Sequence, residues 1–228
     1  PIWDALCHPG GMDPPDCVIF SASQRQAERL LKKIKVQIEN NQELRHLFPA
    51  KAARDHWSAS LVRLANGYTI AAQGVGTKVR GGHPRLVVVD DGFHDNTAHS
   101  EVVRNKEIDY FFEAIRPMIM PGGKIVVVGT PLHSTDLYAK LERNPEYSFA
   151  KYPAIRKGGK PLWPEVHSLA SLDATRREVG EVSFTREFLC QPIGDGSSLF
   201  PSHLFRGEPT EQYTVRLGMP RKVWEGAG

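Results

Sequence analysis

The chain has 228 residues, of which 40% are hydrophobic and 24% charged, with 29 Lys and Arg against 26 Asp and Glu for a formal net charge of +3. That is room for one sizeable core in one or two domains and the composition of an ordinary globular protein. So small a charge does not by itself imply nucleic acid, no stretch approaches the ~20 continuous apolar residues of a membrane span, and residues 1–16 lack the basic, apolar, small-residue order of a signal peptide.

Residues 1–16, rich in Pro, Gly and Asp, read as loop. CVIFS, residues 17–21, is a short apolar run and predicts a buried strand. In the stretch that follows, Ala27, Leu30, Leu31, Ile34 and Ile38 recur at helical spacing with charges opposite, and Ser21 or Ser23 is placed to cap the helix. SLVRLANGYTIAAQG alternates like a hairpin that turns at Asn66-Gly67. RLVVVDD is a second buried strand, followed by a helix from Ser100 through Ile119. A PGG turn leads into KIVVVGT, a third buried strand, and STDLYAKLERN is the helix after it. SFAKYPAI, residues 148–155, predicts a strand; two short helices follow, and from Pro192 the sequence is loop-like.

Apolar strands alternating with amphipathic helices predict an α/β fold, a mostly parallel sheet covered by helices on both faces. Ligands of such sheets sit at the carboxyl ends of the strands. VVVDD ends there in Asp90 and Asp91, and VVVGT ends there in Thr130. One carboxylate at a strand end can hold magnesium through water, and a second can position or deprotonate an attacking water. This is the Walker B pattern of ATPases; equally, it is what a strand ending in a polar turn looks like, with Asp91 or Asp95 capping the next segment. The companion phosphate loop, G-x-x-x-x-G-K-[ST], is absent. GVGTK at 74–78 has the wrong order, and PGGK at 121–124 lacks the hydroxyl and precedes a strand.

GVGTKVRGGHPRLVVVDDGFHD, taken with GGKIVVVGTPLHSTDLYAKL, resembles the large terminase subunit of tailed bacteriophages, the motor that packages DNA into the capsid. Thr130, His133, Asp136 and Leu137 match the family's run after the third strand, whereas Pro131 and Leu132 stand where the family has Arg and Trp. LWPEVHSLASLDATRREVGEVSFTREFLCQPIGDGSSLFP is similar to the segment that closes its ATPase domain, and CVIFSASQRQAERLLKKIKVQIENNQELRHLFP to the stretch after Walker A. The resemblance implies a P-loop NTPase-like domain of RecA/ASCE type that lacks its Walker A segment. Residues 1–196 would be an incomplete ATPase domain trimmed upstream, and 197–228 a linker toward an absent nuclease domain. The first residue, Pro rather than Met, agrees with that expectation.

The resemblance also implies roles. Asp90 would hold the magnesium-bound water and Asp91 would polarise the attacking water. Arg80 would be an arginine finger, in cis or toward a neighbouring subunit's ATP, and Thr130 would sense the γ-phosphate. ATP and Mg²⁺ would be the cofactors. Double-stranded DNA, the portal protein, the small terminase subunit and further copies in a ring would be partners, in the host cytoplasm. Cys7, Cys17 and Cys190 form no C-x-x-C or zinc spacing, and so sparse and odd a count fits reduced thiols.

Two other functions stay open. One is a metallohydrolase whose metal is ligated directly by Asp90, Asp91, His94 and Asp95; the other is a non-catalytic remnant. His94 and His133 alone read as structural, Arg104 and Arg116 as solvated helix residues, and Trp57, Trp163 and Tyr138 as packing. No DNA-binding stripe stands out.

Overall fold

The computed structural model describes residues 1–11, 15–47, 52–77, 82–93 and 100–192. In chain order the elements are α1 (Ile2–Cys7), β1 (Cys17–Ser21), α2 (Gln24–Asn40), α3 (Gln42–Leu47), β2 (Ala52–Trp57), β3 (Leu61–Leu64), β4 (Thr69–Gly74), β5 (Leu86–Asp90) and α4 (Glu101–Tyr110). A π-helical turn, Phe111–Ile115, continues into α5 (Arg116–Met118), and then come β6 (Lys124–Val128), α6 (Leu137–Glu142), α7 (Leu169–Val179) and α8 (Glu181–Glu187). The six strands form one mixed sheet in the order β2-β3-β4-β1-β5-β6. β4, β1, β5 and β6 run parallel, and the β2–β3–β4 edge is antiparallel. The expected α/β architecture is therefore present.

β1 lies between two parallel neighbours and all five of its residues are buried, as expected of a strand covered on both faces. On one face Cys17, Ile19, Ile70, Ala72 and Leu86 pack beneath Ala27, Leu31 and Ile38 of α2. On the other, Val18, Phe20, Ala71, Val87 and Val89 pack against Ile108, Phe111 and Ile115 of the α4 region and Leu137, Tyr138 and Leu141 of α6. Ser23 is the N-cap of α2, its side chain accepting from the Gln26 N–H.

The hairpin turns at Asn66-Gly67 with Gly67 at φ +85°, where a side chain would be strained. Asn66 clamps the turn: its Oδ1 accepts from the Tyr68 N–H, and its Nδ2 donates to the Ala5 and His8 carbonyls. The carbonyl contacts explain why residues 2–7, read as loop, are helical. A helix of six residues is marginal alone, and tertiary hydrogen bonds hold this one.

A second clamp sits at the amino ends of the strands. The buried Asp16 carboxylate accepts from the Gly11 N–H (2.6 Å), the Thr69 N–H (2.8 Å) and the Thr69 hydroxyl (2.8 Å). Its carbonyl accepts from the Arg85 and Leu86 N–H groups, so one residue ties β1 to β4 and to the start of β5.

Other expectations need correction. KIVVV is a strand but not a buried one: Val126 is 45% and Val128 50% exposed. β6 pairs only with β5 among the described residues, and α2 packs over β1 and β4 without reaching it. Residues 148–155 form no strand; only Ile155 bridges, to Pro161, and Ala154 is tied to the Phe188 carbonyl instead. Trp163, expected to pack, is 61% exposed, whereas Tyr138 is buried and Trp57 packs at the edge of the α2 core. The expected boundary at 196/197 and the linker beyond it lie outside the described residues, which belong to one compact unit, Pro1–Pro192.

Two tests follow from the core. Asp16→Ala strands the two buried Thr69 donors, each costing on the order of 1–3 kcal/mol, while the exposed Gly11 N–H can turn to water; because such losses are not additive, a fall in unfolding free energy of about 2–4 kcal/mol in urea is expected. Burial pushes the Cys17 thiol up to about 12, so it stays protonated in the fold while the unfolded thiol ionises near 8.5. Its contribution to stability is therefore complete below that lower value and is lost as pH climbs toward 12. At pH 8 a thiol reagent should label the exposed Cys7 within minutes, and should label Cys17 only under denaturant.

Candidate functional site

The parallel strands deliver their ends to one edge of the sheet. Asp90 is the last residue of β5 and pairs with Val128, the last of β6. By alternation Asp90 stands on the face of Leu86 and Val88, and it is half-buried. Asp91 follows, exposed, with its backbone at φ +47°. Few residues with a side chain take that conformation, and Asp is one of those that tolerate it.

Backbone bonds hold Asp91 there from both sides. Its N–H donates to the Val128 carbonyl (2.9 Å), and its carbonyl accepts from the Ala22 N–H (3.2 Å) just beyond β1. Next, Gly92 turns the chain back so tightly that a Cβ would lie 2.7 Å from Val89 Cγ1. Phe93 is then buried edge-on against Tyr138, ring centroids 6.1 Å apart. With backbone and following residues fixed, Asp91 stands exposed at the edge of the sheet. Among the described residues neither the Asp90 nor the Asp91 carboxylate takes part in a hydrogen bond or ion pair.

Thr130 emerges beside the pair, two residues past β6, and is half-buried. The loop after it is built by Asp136, whose buried carboxylate accepts from the N–H groups of Leu132, His133 and Ala139 while capping α6. His133 is also buried, its Nδ1 shared with the Thr135 hydroxyl and N–H. Asp136 and His133 thus shape the loop after Thr130, the structural part expected for His133.

Four residues of this region have a part in it that the sequence reading did not assign. Tyr138 reaches from α6 to the ends of β5 and β6, its hydroxyl donating weakly to the Val128 carbonyl (3.4 Å). Burial, and then the charges of Asp91, Asp136, Glu107 and Asp90, push its ionisation far above the usual tyrosine range, so it remains a donor. Gly129 is the second: a Cβ there would lie 2.0 Å from the Tyr138 hydroxyl oxygen. Arg104 and Glu107 are the others. Arg104, expected to be solvated, is 3% exposed, and Glu107 is also buried; Arg116 is exposed as expected. The signal was present: residues 104, 108, 111 and 115 recur at helical spacing, and Ile108, Phe111 and Ile115 are the buried stripe of this helix.

Arg80, His94 and Asp95 lie outside the described residues. Among the described residues no group of three or more His, Cys, Asp or Glu side chains is placed to hold a metal ion. Asp90 and Asp91 can supply two hard oxygen donors, suited to a magnesium ion that keeps most of its water. Among the described residues no helix is long and apolar enough to cross a membrane. No protein-family model matches the chain, and no curated protein matches it.

The Gly129–Tyr138 contact makes a test of how the edge is built. Gly129→Ala forces the Tyr138 ring back from the strand ends and should lower stability by roughly 1–3 kcal/mol, the usual cost of overpacking. Adding Tyr138→Phe removes the closest atom but not the ring carbon 2.7 Å away. The double variant should recover part of the loss and not all of it in thermal melts.

Proposed function

We propose that the chain is the central part of a P-loop-type ATPase, of the RecA/ASCE kind, that drives DNA packaging in a tailed bacteriophage. The observation that carries this is the acid pair: two adjacent carboxylates without hydrogen bond or ion pair among the described residues, at the carboxyl edge of a parallel sheet, one of them held by a left-handed backbone. Strained backbone kept for an acid without a partner among the described residues supports a working site. In this reading Asp90 holds a water of a bound magnesium ion and Asp91 orients the attacking water. Thr130, on the adjacent strand end, meets the γ-phosphate and passes its loss to α6 through the Asp136-clamped loop. Arg80 supplies positive charge to the transferring phosphoryl group.

The phosphate-binding loop such an ATPase needs is not among the 228 residues and is assigned to sequence outside them. β6 pairs only with β5 among the described residues, which would give a further parallel strand a place to pair; a loop at the end of that strand would then lie beside Asp90 and Thr130. Portal protein, small subunit and a ring of copies, in the host cytoplasm, belong to the same proposal.

Asp91→Asn in the full-length parent tests it. Nucleotide affinity should stay within about threefold, because Asp91 does not grip phosphates. Steady-state hydrolysis should fall by at least about 10²-fold, the lower end of what a positioned acid or base contributes. Hydrolysis at a near-normal rate would remove Asp91 from the chemistry and the proposal with it.

A further inference from the structure

α2 buries one face only. Its apolar residues lie on the sheet, and Arg25, Arg29, Lys32 and Lys33 are exposed on the opposite side. At 3.6 residues per turn, positions 25, 29, 32 and 36 fall on one line along the helix, with 33 beside it. Arg25, Arg29 and Lys32 follow one another along this ridge at a rise of about 4.5–6 Å. The helix holds five cations, with Lys35, against two acids, Glu28 and Glu39. Its net +3 equals that of the whole chain, so everywhere else the charges cancel.

The ridge cations are also uncommitted. Lys35, on the flank, donates to the Ser58 carbonyl and lies over the Trp57 ring. Among the described residues, by contrast, none of Arg25, Arg29, Lys32 and Lys33 takes part in an ion pair or a side-chain hydrogen bond. Like charges one turn apart weaken a helix by a few tenths of a kcal/mol per pair, and only Glu28, one turn from Arg25 and from Lys32, has the spacing to offset part of that on the ridge.

We propose that the exposed ridge of α2 is a docking surface for the phosphate backbone of double-stranded DNA, contacted through Arg25, Arg29, Lys32 and Lys33. Regularly spaced cations on a rigid helix complement a rigid, regularly spaced polyanion. A membrane surface fits less well: a lipid-binding helix turns its apolar face outward, and α2 has its own on the sheet, with Val36 alone on the ridge. A single strand fits less well too, because α2 carries no aromatic residue for bases to stack on. Contacts of this kind position a duplex without reading its sequence. The partner class coincides with that of the proposed motor, but the inference stands on the charge arrangement and needs no ATPase.

The test uses the 228-residue chain without nucleotide and a fluorescent 30-base-pair duplex at about 50 mM salt, read by anisotropy. Arg29→Glu/Lys33→Glu is compared with Lys157→Glu/Lys160→Glu, which makes the same charge change at exposed positions of another segment. Circular dichroism confirms that each variant is folded. The ridge pair should weaken binding at least tenfold and reduce the slope of log affinity against log salt by about 2, since each neutralised phosphate contributes about 0.9. The control pair should change affinity less than about threefold. Absence of wild-type binding, equal losses in both pairs, or tighter binding to a single strand of the same length would each overturn the inference. So would ridge-dependent capture by phosphatidylserine vesicles without duplex binding. Because no hydrolysis is measured, failure of the Asp91→Asn test leaves this result standing, and the reverse also holds.

Discussion

The site depends on two backbone hydrogen bonds made by Asp91, one to the residue after β1 and one to the last residue of β6. A strand in the middle of a parallel sheet would ordinarily release its chain after the last ladder bond. Here the chain is held one residue longer, between both neighbours, and only a left-handed backbone lets it then turn away. Gly92 is required for that turn by the closeness of Val89, and Phe93 anchors it in the core beside Tyr138. The backbone of Asp91 is thus placed by main chain and packing, and among the described residues no side-chain partner is consumed in doing so. Among those residues nothing takes up its carboxylate lone pairs, which a ligand or a water could use.

That arrangement was half legible in the sequence. An apolar run ending in two acids is visible as a pattern, and the sheet rule places its end at the site. The left-handed turn is not visible, because an Asp-Gly pair after a strand fits several turn types. Arg104 shows a different failure. Its charge argued for solvent, while its position on the stripe of Ile108, Phe111 and Ile115 argued for burial; the period was the better guide. For β6 the period was no help, since KIVVV reads the same whether or not something covers it. Exposure of Val126 and Val128 is decided by how far α2 extends across the sheet, and that is a fact about tertiary placement.

α2 shows how one helix can serve two purposes without conflict. Its inner stripe was readable from spacing alone, and Ala27, Leu31 and Ile38 are buried as that spacing demands. The outer ridge was equally present in the sequence but carried no message there, because charges opposite an apolar stripe are the default for any surface helix. It acquires meaning only when the partners of those charges can be counted. Among the described residues Lys35 has two and the four ridge cations have none.

The same counting separates Asp90 from Asp16. Both are half-buried or buried acids at the ends of sheet strands. Asp16 accepts from three donors and ties three strands together, so its burial is repaid by structure. Asp90 is withdrawn from water by its strand and receives no donor among the described residues. A carboxylate in that position loses hydration without a compensating bond, and an Asn or Thr would end β5 with less electrostatic cost. What would favour the acid is a cation at the sheet edge, which turns the uncompensated charge into a ligand. The amino end of the sheet, where every Asp16 lone pair used is spent on backbone and hydroxyl donors, has no such need; at the carboxyl end two acids stand without a donor among the described residues, which is what the proposed magnesium site would call for.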